Sequence, residues 1–438
     1  MKNTIKMSLV AALAVAGLST SASAGSLEEA IKGVSISGKM EVEYDYTTDK
    51  MKGSNKNTTN EWDLDWDVTA KIPVNDNITA VVGAEGDQAR EIHEDRLSGQ
   101  GNAQVTKLNF VYQNGPVTAI VGKQGMSGAP WFDDERANGV VALYNAGPVI
   151  LAAAHFDNQN GTALSHNDVT DFGFDAYAEM AVADGGLGLA ANSYVATVDH
   201  DEADINAAAV IMPNIAGSGI NASLWYADIA GLAVEVSNAG EVAQVDATSY
   251  SIGVDGKFFD MIGVDVRYTS TDYNAENRIF AAKSMAEKNL ENTLEEDASL
   301  LKVIVSADFG VATPYIGYGK TDKDQHVAGV DLTTDHDSVA DFGGEILSID
   351  EMADADAFII GVKVPVGPLA LEAFYIDGDA VSNDVDYDEF YIGADYKMSK
   401  NFTIGAHFAK AEVDADINNV LDTTYDYTDA AISLEYKF

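Results

Sequence analysis

The sequence predicts an all-β chain folded as a transmembrane, antiparallel, up-and-down β-barrel of about 18–20 strands. Three observations carry that prediction. Apolar and polar residues alternate with a period of two nearly everywhere from residue 33 to the last residue. The alternating segments run about ten residues, longer than the ~5–6 usual for a soluble strand and matched to the ~9–11 of a tilted membrane strand. Connections alternate between short turns and long polar loops, the layout of a barrel with short periplasmic turns and long external loops. A soluble sandwich shares the alternation but not the strand length or the lopsided connections.

The elements follow in order. Residues 1–24 read as a cleaved signal peptide: Lys2 and Lys6 form a basic start, Met7 to Leu18 a short apolar run, and Ala22-Ser23-Ala24 a small-residue cleavage site. Residues 25–438 then form one barrel domain, since no linker rich in Pro, Ser or Gly divides them. In the first strand Val34, Ile36, Met40, Val42, Tyr44 and Tyr46 share one face, with Ser35, Ser37, Lys39, Glu41, Glu43 and Asp45 between them. The second repeats this more sharply: Trp62, Leu64, Trp66 and Val68 alternate with Asp63, Asp65, Asp67 and Thr69. Short turns are expected at Pro73 to Asn77, Asn114-Gly115-Pro116, Ala146-Gly147-Pro148, Ala183 to Gly186, Phe259-Asp260-Met261, Val366-Gly367-Pro368 and Ser399-Lys400-Asn401. Long loops are expected at 47–60, 88–104, 125–138, 158–170, 273–297, 322–353 and 414–426, with a helix inside a loop at 276–297. The segments 171–182 and 187–198 read as one more hairpin. The last strand sets Ile432, Leu434, Tyr436 and Phe438 against Ser433, Glu435 and Lys437. A terminal aromatic on an amphipathic strand resembles the insertion signal of bacterial outer-membrane barrels.

Composition narrows the function. The 438 residues hold 70 Asp+Glu against 26 Lys+Arg, a formal net charge of −44. Such a chain has no basic footprint for nucleic acid and favours cations as partners. Its hydrophobic fraction of 46% excludes wholesale disorder. With 0 Cys, disulfides, thiolate metal sites and Cys nucleophiles are excluded. No GxSxG, HExxH or phosphate-binding glycine loop occurs, so no enzyme is expected. Of the seven His, only His407 falls on an inward strand position with clear parity.

Several patches resemble one family. They are Leu27-Glu28-Glu29-Ala30-Ile31-Lys32 before Ser37-Gly38, Ile120-Val121-Gly122-Lys123-Gln124 before a loop with Trp131 and Asp133, Ala207-Ala208-Ala209-Val210 followed by Leu224-Trp225, and the closing Tyr436-Lys437-Phe438. Together they resemble the major outer-membrane porins of the Campylobacter group of bacteria. The resemblance implies a homotrimeric outer-membrane barrel that passes ions and small hydrophilic solutes.

The inner face supplies the candidate site. A barrel this wide is not filled by side chains, so its polar face encloses water. Gly125 to Asn138 is the candidate constriction loop: Gly125, Gly128 and Pro130 suit a bent path, Trp131 and Phe132 suit anchoring to the wall, and Asp133, Asp134, Glu135 and Arg136 are the candidate constriction residues. The residues alone leave open a solvated external loop; the resemblance implies the inward path. Inward parity places Lys39, Lys71, Lys107, Arg267 and Lys302 on the lumen wall, outnumbered by acids that include Glu41, Asp63, Asp65, Glu85 and Glu389. The expected channel therefore prefers cations. No cofactor is expected, except that Asp199-His200-Asp201-Glu202 with Asp204, Asp350 to Asp356, and Asp377 to Asp388 are dense in oxygen ligands of the kind Ca2+ takes. The resemblance implies one such Ca2+; no spacing assigns it. An adhesin or a substrate-specific channel are the rival functions, separable by conductance and by current saturation.

Overall fold

The computed structural model describes residues 33–52, 56–87, 90–91, 102–126, 128–132, 136–157, 196–199, 204–236, 240–259, 261–277, 297–323, 330, 339, 341–349, 352, 354–380, 385–417 and 421–438. The expected signal peptide, the added hairpin at 171–182 and 187–198 and the loop helix at 276–297 lie outside the described residues, save Glu276 and Asn277, which are strand, Asp297, and Ala196 to Val198.

Eighteen antiparallel strands close into one barrel. They are β1 (Ser35–Met51), β2 (Asn57–Asn75), β3 (Ile78–Asp87), β4 (Asn102–Asn114), β5 (Val117–Gly125), β6 (Arg136–Asn145), β7 (Ile150–Asp157), β8 (Asp204–Met212) and β9 (Ile220–Val236). β10 (Gly240–Phe258), β11 (Ile262–Asn277), β12 (Ala298–Ala307), β13 (Thr313–Thr321), β14 (Ala355–Val366), β15 (Leu369–Ala380), β16 (Val385–Ser399), β17 (Phe402–Ile417) and β18 (Leu421–Lys437) complete the wall. Two further short segments add no strand to the circle. Arg90–Glu91 prolongs β3 along β2, and Ala196–Asp199 prolongs β8 along β9. The strand number therefore settles at the lower end of the expected range.

Each strand pairs with its sequence neighbours, and β18 returns to β1 with Lys437 opposite Lys39 and Tyr425 opposite Met51. The terminal residue seals the seam: Gly38 N–H donates to the Phe438 carbonyl at 3.1 Å, and Phe438 N–H donates back at 3.0 Å. A Cβ on residue 38 would collide with the Asp67 carbonyl oxygen and stand 2.8 Å from the Phe438 ring, so glycine is required there. Closure leaves no unpaired edge, the condition for a sheet to cross lipid.

The alternation is realised as expected. Trp62, Leu64 and Trp66 stand on the outside, 36–46% exposed, although they are large and apolar. Leu108, Phe110, Ile252, Ile316, Phe358, Ile360 and Ile432 do the same around the wall. A continuous apolar exterior of this kind belongs against lipid or a neighbouring subunit. Tyr44 and Trp62 pack ring to ring across β1 and β2, 5.1 Å between centroids, which pins their register. Among the described residues no helix is long and apolar enough to cross a membrane; the strands cross instead.

Candidate functional site

The buried apolar residues sit inside the barrel, where two connections fold inward against the wall. The first runs from the end of β5 to β6. Gly128 takes φ 130, a backbone conformation that favours glycine, and turns the chain inward. Trp131 is fully buried, with Met126 and Phe132 beside it in the apolar cluster. Its ring meets the inward ring of Trp225 on β9 edge-on, 6.5 Å between centroids at 83°. The anchoring role expected of Trp131 and Phe132 is thus what their burial provides. Asp133, Asp134 and Glu135 lie outside the described residues. Arg136 begins β6, and its guanidinium donates to Glu85 on β3 at 2.5 Å, reaching past β4 and β5 along the inner wall.

The second inward segment lies in the connection from β13 to β14. Residues 322–353 were expected as an external loop; their described part at 341–349 instead packs within the lumen. The physical reason is a run of apolar side chains that an external loop would leave in water. Phe342, Leu347 and Ile349 are all buried. On β13 the inward residues Gly317 and Gly319 leave the space that Phe342 fills: a Cβ on residue 317 would stand 3.2 Å from its ring, and one on residue 319 would collide with it. The chain turns back on itself there, with Gly343 bridged to Ser348 and the Ile349 N–H donating to the Phe342 carbonyl at 3.2 Å.

The tip of this hairpin is held by one carboxylate. Glu389, on β16 and wholly buried, accepts the backbone N–H groups of Glu345 at 2.7 Å, Ile346 at 3.0 Å and Leu347 at 3.1 Å. Three successive amides converging on an anion form a charge-assisted cradle. Sequence reasoning placed Glu389 correctly on the inner face but read it as one wall acid among many. The cluster Phe342, Ile346, Leu347, Ile349 in an otherwise polar loop was the available sign of an inward path.

The wall residues separate into two groups. Lys39, Glu41, Asp63, Asp65 and Lys71 share the face opposite Met40, Trp62, Leu64 and Trp66, and Lys39 pairs with Glu41 at 2.7 Å. Lys107 runs its alkyl chain across Gly83. Arg267 and Lys302, on β11 and β12 halfway round the barrel, face inward but are shut off from water, 8% and 7% exposed. Arg267 donates to Ser251 Oγ at 3.0 Å. Lys302 donates to the Val339 carbonyl at 2.7 Å and stands 3.6 Å from Asp265. The connection that includes Val339 thus covers Lys302, and Arg267 is held by the wall itself.

Among the described residues the acid-rich stretches are not brought together as a cation cage. Asp356, Asp379 and Asp386 stand opposite one another across β14, β15 and β16, beside the outward Phe358 and Phe390. Asp377 and Asp388 form the next such row. Residues 200–203, 350–351 and 384 lie outside the described residues. Among the described residues one mixed cluster does converge in the lumen: Glu345 from the hairpin, His407 from β17 and Asp429 from β18.

A closed barrel of 18 antiparallel strands, apolar outside, polar inside and narrowed by connections folded into its lumen, defines an outer-membrane porin. Solved porins share the architecture. A BenF-like porin from Pseudomonas fluorescens Pf-5 superposes with a TM-score of 0.62 at 12% identity, covering 93% of this chain and 99% of that one. OccK2 (OpdF) from Pseudomonas aeruginosa gives 0.60 at 12% identity, with 92% and 98% covered. The outer membrane protein opdK from Pseudomonas aeruginosa gives 0.59 at 12% identity, with 92% and 99% covered. At such identity the likeness is one of fold. No curated protein matches the chain. The family model of the Campylobacter major outer membrane protein matches residues 1–438, and the chain belongs to that family. It is accordingly a multi-pass β-barrel of the outer membrane, and its family and fold point to a channel rather than an enzyme.

Proposed function

We propose that the protein is a water-filled, cation-preferring channel for passive diffusion of ions and small hydrophilic solutes, exported with a cleaved signal peptide and assembled as a homotrimer. One observation carries the preference. The inner face of β1 and β2 sets Glu41 against Asp65 and Glu43 against Asp63 in register, while Arg267 and Lys302 are withdrawn under 10% exposure. Mobile ions therefore meet more carboxylate than ammonium or guanidinium, and the summed field attracts cations. Asp133, Asp134 and Glu135, which follow the buried Trp131 and Phe132 in the chain, add three acids and no base to that balance. Trimer assembly rests on family membership together with the apolar exterior.

The test is the reversal potential across a planar bilayer in a KCl gradient. A potential of the sign set by K+ supports the reading. A potential of the Cl− sign overturns it. Current that saturates with one solute would instead assign a substrate-specific channel.

A further inference from the structure

We propose that Glu345, His407 and Asp429 form a lumenal binding site for a divalent transition metal of the Zn2+ class, which pins the inward hairpin to the barrel wall. The three residues come from three places: the hairpin tip, β17 and β18. His407 and Asp429 are diagonal neighbours on the inner face, since His407 stands opposite Ala431 and Asp429 opposite Ala409. His407 Nε2 lies 2.6 Å from Asp429 Oδ2 and 3.7 Å from Glu345 Oε1. All three ligand atoms fall within 4.8 Å of one another.

These separations suit a small metal. Bonds of ~2.0–2.2 Å in a tetrahedral site set ligand atoms about 3.3–3.6 Å apart. The Glu345–His407 separation is already close to that, and the His407–Asp429 hydrogen bond has only to open by under about 1 Å. Two carboxylates balance the charge of a divalent ion, and the fourth position is open to water from the lumen. The ligand set chooses the metal. Ca2+ takes 6–8 oxygen ligands, whereas an imidazole with carboxylates suits Zn2+ and its neighbours.

The supports are in place before any metal arrives. The Tyr391 ring stacks on His407 at 5.9 Å and 28°, fixing the imidazole plane. Glu389 holds the Glu345 backbone N–H at 2.7 Å, so the Glu345 carboxylate is launched from a clamped residue. The site exists only while the hairpin is docked, so metal binding and docking reinforce each other. This holds whichever ions the pore prefers.

The experiment uses the folded full-length protein in detergent, stripped with EDTA and dialysed against Zn2+, with bound metal counted by mass spectrometry. One Zn2+ per chain is expected, retained in millimolar Ca2+. His407→Gln and Asp429→Asn should each weaken binding by at least about tenfold, and Asp308→Asn, at a distant turn, should not. Compact migration in SDS without heating checks each fold. Glu345→Gln, outside the strand ladder, carries the same expectation should a strand variant fail to fold. Equal Zn2+ on the wild type and on the folded variants overturns the proposal. So does displacement of Zn2+ by Ca2+, or no bound Zn2+ at all.

Discussion

Glu389 is the residue whose loss should most cleanly free the inward hairpin. Its Oε1 accepts one amide and its Oε2 two, at 2.7, 3.0 and 3.1 Å. In Glu389→Gln the single carbonyl keeps at best the Ile346 and Leu347 bonds, and the new amide group faces the Glu345 N–H donor to donor. Bonds to a charged group contribute about 1.5–3 kcal/mol and neutral ones about 0.5–1.5. Weakening two and losing the third therefore costs about 3–5 kcal/mol of docking energy. Burying a neutral amide instead of a carboxylate returns part of this, which leaves a net loss of about 1–3 kcal/mol. The undocked population should rise about 5- to 100-fold, at tenfold per 1.4 kcal/mol. Glu389→Leu, which leaves all three amides unpaired, should do more. The chain has no native Cys, so Leu347→Cys provides a unique probe at a position buried only while the hairpin is docked. Its labelling rate by a water-soluble thiol reagent should rise by the same factor in the Glu389 variants, and single-channel conductance should grow and become noisier. Unchanged labelling and conductance in both variants would refute the latch, as would a smaller effect from Leu than from Gln.

Three further outcomes test the rest. Cysteines at position 65 should react with a membrane-impermeant reagent through the lumen and those at 64 should not, and Leu64→Lys should destabilise the barrel by about 2–4 kcal/mol if it lies near the bilayer midplane; equal labelling would remove the assigned faces. The triple change Asp133→Asn, Asp134→Asn, Glu135→Gln should move the reversal potential toward the non-selective value without unfolding the barrel. Its effect should be larger at low salt, because the Debye length is ~8 Å at physiological ionic strength and ~3 Å at 1 M; a full cation preference in the variant would shift the filter to the strand acids. Deleting Phe438 removes both seam bonds to Gly38 and should lower the yield of the heat-modifiable folded form, measured by unheated SDS migration.

The wall was legible because a strand has a period of two. Each residue's face follows from its parity, and lipid outside with water inside leaves a different residue type on each. Trp62, Leu64 and Trp66 declare the outside, and Asp63 and Asp65 the inside, with no knowledge of any partner strand. The closing aromatic and the position of His407 follow from the same parity. The inward path of the first loop was legible in part, through Trp131, Phe132 and Gly128. Tertiary structure alone decided what stands above the wall. A loop has no period, so nothing in residues 322–353 says which strands they meet; Phe342 finds the lumen because Gly317 and Gly319, more than twenty residues away, vacate it. Parity likewise gives Glu389, Arg267 and Lys302 the same lumenal address as Glu41 or Lys39. Whether such a charge meets water, a set of backbone amides or a covering loop depends on contacts between distant segments, and those contacts turned one acid into a latch and took Lys302 out of the pore's field.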